Sequence, residues 1–130
     1  MPHLAYVNVF AQDIEGLSAF YASVFGFAEV IESRSPIFRL LDTGRSGIGF
    51  NAPEAYGLLD LTDRAKATGT RFMLTIDVDG PPDVDALIPA AVARGASVIK
   101  SPYETYYGTR QAVLADPEGN VFRINAPIAR

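Results

Sequence analysis

The segment LADPEGNVFRI, residues 114–124, sets a charged Arg123 between apolar neighbours. On a strand it would lie on the face opposite Phe122 and Ile124. A guanidinium so placed can hold an anionic group through two parallel N–H bonds. For acid–base work the candidates are Tyr6 or Tyr106 as proton donor and Asp77 as base, if burial raises its basicity. Asn8, Arg39, Asn51, Met73, Thr75, Tyr107 and Arg110 are further candidates for contacting a ligand. The one histidine, His3, sits beside the chain start and reads as a surface residue. With no cysteine there is no disulfide, no thiolate nucleophile and no thiolate metal site.

These residues need elements to position them, and the pattern supplies two similar sets. Residues 4–11 alternate, with Ala5, Val7 and Val9 on one face and Tyr6, Asn8 and Phe10 on the other, which predicts a strand. Asp13 caps a helix whose Leu17, Phe20, Tyr21, Val24 and Phe25 share a face, and Gly26 stops it. Strands are then expected at 28–33, 36–41 and 47–51, the last two joined by a turn opened by Asp42. The order repeats with a strand at 71–78 and a helix over 81–95, where Pro89 should shift the start or introduce a kink. Strands follow at 97–101, 109–115 and 120–125, the last pair joined by DPEG, a turn in which Pro117 presets φ and Gly119 permits a positive one.

The result is β-α-β-β-β twice, an α+β chain of tandem modules at about 1–53 and 69–130 with a linker at about 54–68. In each module the aliphatic strand face should pack under the helix. The opposite faces carry Tyr6, Asn8, Arg39, Asn51, Met73, Thr75, Arg123 and Asn125, and are expected to curl around a shared interior. A mixed concave face suggests a ligand cavity rather than simple core. The loop SPYETYYGTR adds Tyr103, Tyr106, Tyr107 and Arg110, whose rings suit flat or amphipathic ligands, or packing at a rim or dimer interface.

Composition narrows the partners. The chain has 130 residues and a net charge of −4 without basic clusters, which argues against nucleic acid. No stretch approaches the ~18 consecutive apolar residues of a membrane span. The N-terminal MPHLAYVNVF lacks the features of a signal peptide, so a cytoplasmic location is expected.

The doubled βαβββ order, FYASVFGF at the first helix end and YYGTRQAVLADPEGNVFRI near the C-terminus together resemble the vicinal oxygen chelate superfamily. That group includes glyoxalase I, bleomycin-resistance proteins, fosfomycin-resistance enzymes and extradiol dioxygenases. The resemblance covers nearly the whole chain and implies a curved, half-open barrel around a central cavity, and a homodimer. Its metal-dependent members bind a divalent ion with His and Glu from the first and last strands of each module. The matching positions here are Tyr6, Gly49, Met73 (Thr75 if the register slips by two) and Arg123.

None of these is His or Glu. A cation at a metal position repels a divalent ion by about 2 kcal/mol at ~4 Å even at water's dielectric. The expectation is therefore a chain without metal or cofactor that binds a small polar or anionic ligand, aromatic ones included. Alternatives are a metal-free isomerase or lyase using Tyr6, Asp77 or Tyr106, a metal-dependent lyase or dioxygenase with atypical ligands, and a dimer scaffold with a filled cavity. Bleomycin-resistance proteins likewise lack the metal ligands but offer an acidic groove to a cationic drug, a poor match for Arg39, Arg110 and Arg123. Whether Arg123 meets a ligand or an internal carboxylate such as Asp77 stays open in the sequence.

Overall fold

A computed structural model describes residues 1, 3–66 and 68–129. The chain divides into two compact units, Met1–Thr68 and Gly69–Arg130. Unit one runs β1 (Val7–Phe10), α1 (Ile14–Phe25), β2 (Ala28–Glu29), β3 (Phe38–Asp42), β4 (Gly47–Asn51) and α2 (Glu54–Leu58). Unit two runs β5 (Leu74–Asp77), α3 (Pro81–Ala93), β6 (Ser97–Glu104), β7 (Thr109–Ala115) and β8 (Val121–Pro127). The class is α+β, with one four-stranded mixed sheet per unit, ordered β1-β4-β3-β2 and β5-β8-β7-β6. In each, the first strand lies parallel to the last and the remaining pairs are antiparallel. A parallel pair requires a crossover, and α1 or α3 provides it.

Local chemistry sets the element ends. The Asp13 carboxylate accepts from Gly16 N at 2.9 Å, satisfying a free donor of the first turn of α1. Gly26 ends that helix at φ 75°, a conformation that favours glycine. Asp83 accepts from Gly80 N at 3.1 Å and closes the start of α3. Under α1 lie Leu17, Tyr21, Leu41 and Phe50, and under α3 lie Val84, Ala112, Leu114, Phe122 and Ile124, all fully or nearly fully buried. Tyr21 and Phe50 meet with ring centroids 5.8 Å apart.

Several element bounds differ from the sequence expectation. β1 begins at Val7, and β5 begins at Leu74, leaving Phe72 exposed. β2 holds two residues before a 3-10 turn over Ile31–Ser33: Ala28 and Glu29 are its register partners on β3, and after one more bond, from Val30 N to the Leu40 carbonyl, the chain turns away. The helix runs through Pro89 rather than starting after it. β6 extends to Glu104 and takes Tyr103 out of the expected loop. The expected linker contains α2 and a 3-10 turn, Thr62–Arg64. No helix among the described residues is long and apolar enough to cross a membrane.

Candidate functional site

The DPEG turn is the starting point for the second unit's polar face. Asp116 is buried, and its Oδ1 accepts from the backbone N–H of Glu118 at 2.9 Å and of Asn120 at 3.0 Å. These bonds fold the chain back so that Ala115 pairs with Val121 and Val113 with Arg123. Alternation then sends Phe122, Ile124 and Ala126 under α3 and turns Arg123 and Asn125 to the opposite face. On the neighbouring strand Thr75 pairs with Arg123, and Asp77 with Asn125.

Arg123 is oriented on this face by neutral groups. Its Nε donates to Thr75 Oγ1 at 2.8 Å, and its Nη1 reaches Gln111 Oε1 at 3.3 Å and Tyr107 Oη at 3.4 Å. Tyr107 Oη also donates to Gln111 Oε1 at 3.1 Å, while the Gln111 amide nitrogen donates to Tyr103 Oη. Gln111 is 4 % exposed, so its amide is a fixed hub between two tyrosines and the guanidinium. Among the described residues Arg123 has no carboxylate partner, and its Nη2 makes no hydrogen bond. Asp77 is instead bonded through Oδ1 to Asn125 Nδ2 at 3.0 Å.

The first unit's corresponding face has a different character. Asn8 Nδ2 donates to Asn51 Oδ1 at 2.7 Å, and Tyr6 stands 6.1 Å from the Phe38 ring. Tyr56 stacks on Phe10 with centroids 4.1 Å apart. Gly49 lies beneath Phe38 and Tyr6, whose ring atoms come within 3.0–3.2 Å of where a Cβ would sit.

Arg39 faces the other way from the sequence expectation. Arg39 alternates with Leu41 and pairs with the buried Phe50, so it points toward α1. There Nη2 donates to Glu15 Oε1 at 3.1 Å, and Nη1 donates to the carbonyls of Ser35 and Phe38. Arg34 forks onto Glu29 at 2.7 and 2.8 Å, which holds the Glu29 carboxyl below its usual range, against a smaller opposing effect of burial. Both arginines line a cleft of about 310 Å³ with Glu15, Ser18 and Glu29. Its charges are matched with one another, so it offers no unanswered charge to a ligand. Arg110, which shares a face with Ala112 and Leu114, grips Asp85 of α3 through bonds of 2.6 and 2.8 Å.

Of the residues singled out from sequence, the fold brings Thr75, Tyr107 and Arg123 into one hydrogen-bonded set, with Asp77 beside it. Asn8 and Asn51 form a second set. Tyr106 is fully exposed and touches Tyr107 edge-on at 5.1 Å, and Met73 is 42 % exposed just before β5. Gln111 was missed. Its signal was the apolar parity of Ala112 and Leu114, which leaves position 111 on the face of Arg123.

The residues that the resemblance matches to metal ligands do not suit a divalent ion. Gly49 has no donor, Met73 offers a soft thioether, Arg123 is a cation and Tyr6 is a phenol. Among the described residues no group of three or more His, Cys, Asp or Glu side chains is placed to hold a metal.

A family model described as a glyoxalase-like domain matches residues 6–125. A solved structure of a glyoxalase/bleomycin resistance protein/dioxygenase family enzyme from Burkholderia phytofirmans PsJN is 57 % identical, with a TM-score of 0.96. The match covers 98 % of this chain and all of that one. A glyoxalase-related enzyme from Fulvimarina pelagi matches at 20 % identity and TM-score 0.76, over 97 % and 88 % of the two chains. A lactoylglutathione lyase from Agrobacterium tumefaciens matches at 20 % and 0.70, over 95 % and 92 %. The last two speak for the fold alone. No curated protein matches the sequence.

Proposed function

Because the chain belongs to the glyoxalase-like domain family, we propose that it is a metal-independent small-molecule-binding protein of the glyoxalase/bleomycin-resistance type. The ligand is polar or anionic with an aromatic body, and Arg123 is its anchor. The observation that carries this reading is the guanidinium of Arg123, aimed by Thr75, Gln111 and Tyr107 yet neutralised by none of them. Neutral acceptors fix its direction and leave its charge for an anion. Tyr107, half exposed beside it, offers a ring and a hydroxyl to the same ligand.

Titration with 4-methylbenzoate, followed by amide chemical shifts, tests the anchor. Arg123→Ala should weaken binding about tenfold or more, the size of a hydrogen-bonded charge contact, while unfolding stays cooperative. Unchanged affinity overturns the anchor. Elemental analysis of the purified protein should find far less than one Zn, Ni, Mn or Fe per chain, and near-stoichiometric metal overturns metal independence.

A second reading, a metal-free isomerase or lyase, draws support from the Burkholderia protein, which is described as an enzyme. It would use Tyr6, Asp77 or Tyr106 as acid–base groups. The exposure of Asp77 and Tyr106 speaks for binding instead, since burial is what tunes such groups for proton transfer. A homodimer and a cytoplasmic location go with the proposal. Exposed Val92, Val98 and Ile99 in the second unit support the former.

A further inference from the structure

Arg123 and Asp77, a guanidinium and a carboxylate, share a sheet face and do not pair. Thr75 and Arg123 are register partners, and Asp77 and Asn125 are the next partners on the same face. As diagonal neighbours on adjacent strands, Arg123 and Asp77 stand about 7–8 Å apart at the backbone. An arginine side chain can span that gap, and pairing would be the simplest way to offset both charges. Instead each group is turned to a neutral neighbour, Arg123 to Thr75, Gln111 and Tyr107, and Asp77 to Asn125. Each also keeps an open end. Among the described residues, Arg123 Nη2 and Asp77 Oδ2 make no hydrogen bond.

We infer that this face binds a zwitterion, a small molecule whose carboxylate meets Arg123 and whose ammonium group meets Asp77. The inference rests on the proposed role of Arg123 as an anion anchor. A purely anionic ligand would bring a second negative charge toward Asp77 and leave that carboxylate unanswered. A zwitterion satisfies both ends, and the asparagine and threonine brackets hold the two ends ready before it arrives. That readiness lowers the ordering cost of binding.

The test compares three probes of one shape by calorimetry at low salt: 4-(aminomethyl)benzoate, 4-methylbenzoate and benzylamine. Wild-type protein should bind the zwitterion about tenfold tighter than 4-methylbenzoate, with benzylamine weakest. In Asp77→Asn the two acids should bind equally, and in Arg123→Gln both should be lost, with thermal unfolding confirming that each variant is folded. If Asp77→Asn does not fold, Asp77→Ser makes the same comparison. Equal affinity of the two acids for the wild type overturns the zwitterion while leaving the anion anchor standing. A preference for the zwitterion that persists without the Asp77 carboxylate also overturns it. Binding of neither acid, or binding of both that ignores Arg123, overturns the two readings together.

Discussion

At Gly49 a single hydrogen separates the β4 backbone from two aromatic rings. An added Cβ would sit 3.0 Å from Phe38 Cε1 and 3.2 Å from Tyr6 Cδ2, closer than ordinary carbon contacts. Gly49→Ala should therefore destabilise the protein by about 1–3 kcal/mol, the usual cost of overpacking. In a Phe38→Ala background the nearer ring is gone, and part of that penalty should disappear. Urea unfolding of the four proteins of this cycle measures it; equal penalties in both backgrounds would mean the Phe38 ring is not the cause. The same scale shows why some site residues were legible. The DPEG turn fixes parity, so the face of Arg123 followed from the sequence. In PIFRLL, apolar residues occupy both parities, so nothing in that string said that Arg39 would side with Leu41 and point toward α1. The ion pair of Arg110 was out of the sequence's reach for a related reason. Its partner Asp85 lies 25 positions earlier on a helix, and such pairing is tertiary information.

Between elements, the Asp85–Arg110 fork ties α3 to β7. The Arg110 hydrogen bond holds the Asp85 carboxyl below its ordinary range, against a smaller effect of burial. A depressed carboxylate stabilises the fold above its unfolded pKa, near 4, and that contribution is lost as pH falls through the lower folded value. Wild type should thus unfold at higher urea than Asp85→Asn at pH 7, and the two midpoints should converge as pH falls below the unfolded carboxylate range. The pair is solvent-exposed, so added salt should narrow the gap at pH 7. A gap independent of pH would assign the effect to packing instead. Most elements were readable because local signals agreed with tertiary ones: Asp13 and Gly26 bracket α1, and period-two runs mark β7 and β8. AEVIES has strand propensity along its length and so predicts a longer β2, while register pairing with β3 stops after two residues.

At the level of the whole chain, the repeated βαβββ order follows from punctuation that recurs. Gly26 and Gly95 lie at the ends of the two long helices with positive φ, and Asp42 and Asp116 each open a hairpin by accepting backbone N–H bonds. What could not be read was which loops carry structure, since α2 forms from a segment with no strong periodicity. The proposed homodimer is tested here as well. Light scattering behind gel filtration should give twice the chain mass, and Ile99→Asp should shift it toward one chain without loss of the fold. A wild-type monomer across the micromolar range overturns the dimer.

β6 borders its sheet as an eight-residue edge strand with an open row of backbone groups. Such a row can template a neighbouring strand and seed fibrils. Here the register slips twice, between Val98 and Lys100 and again between Lys100 and Tyr103. Pro102 lacks an N–H to offer, and Lys100, lying 3.8 Å over the Tyr103 ring, adds a charge to the row. The slips that bring Tyr103 beside Gln111 therefore also guard the chain against amyloid-like growth. Restoring a flat, fully hydrogen-bonded β6 would trade a soluble edge for a sticky one.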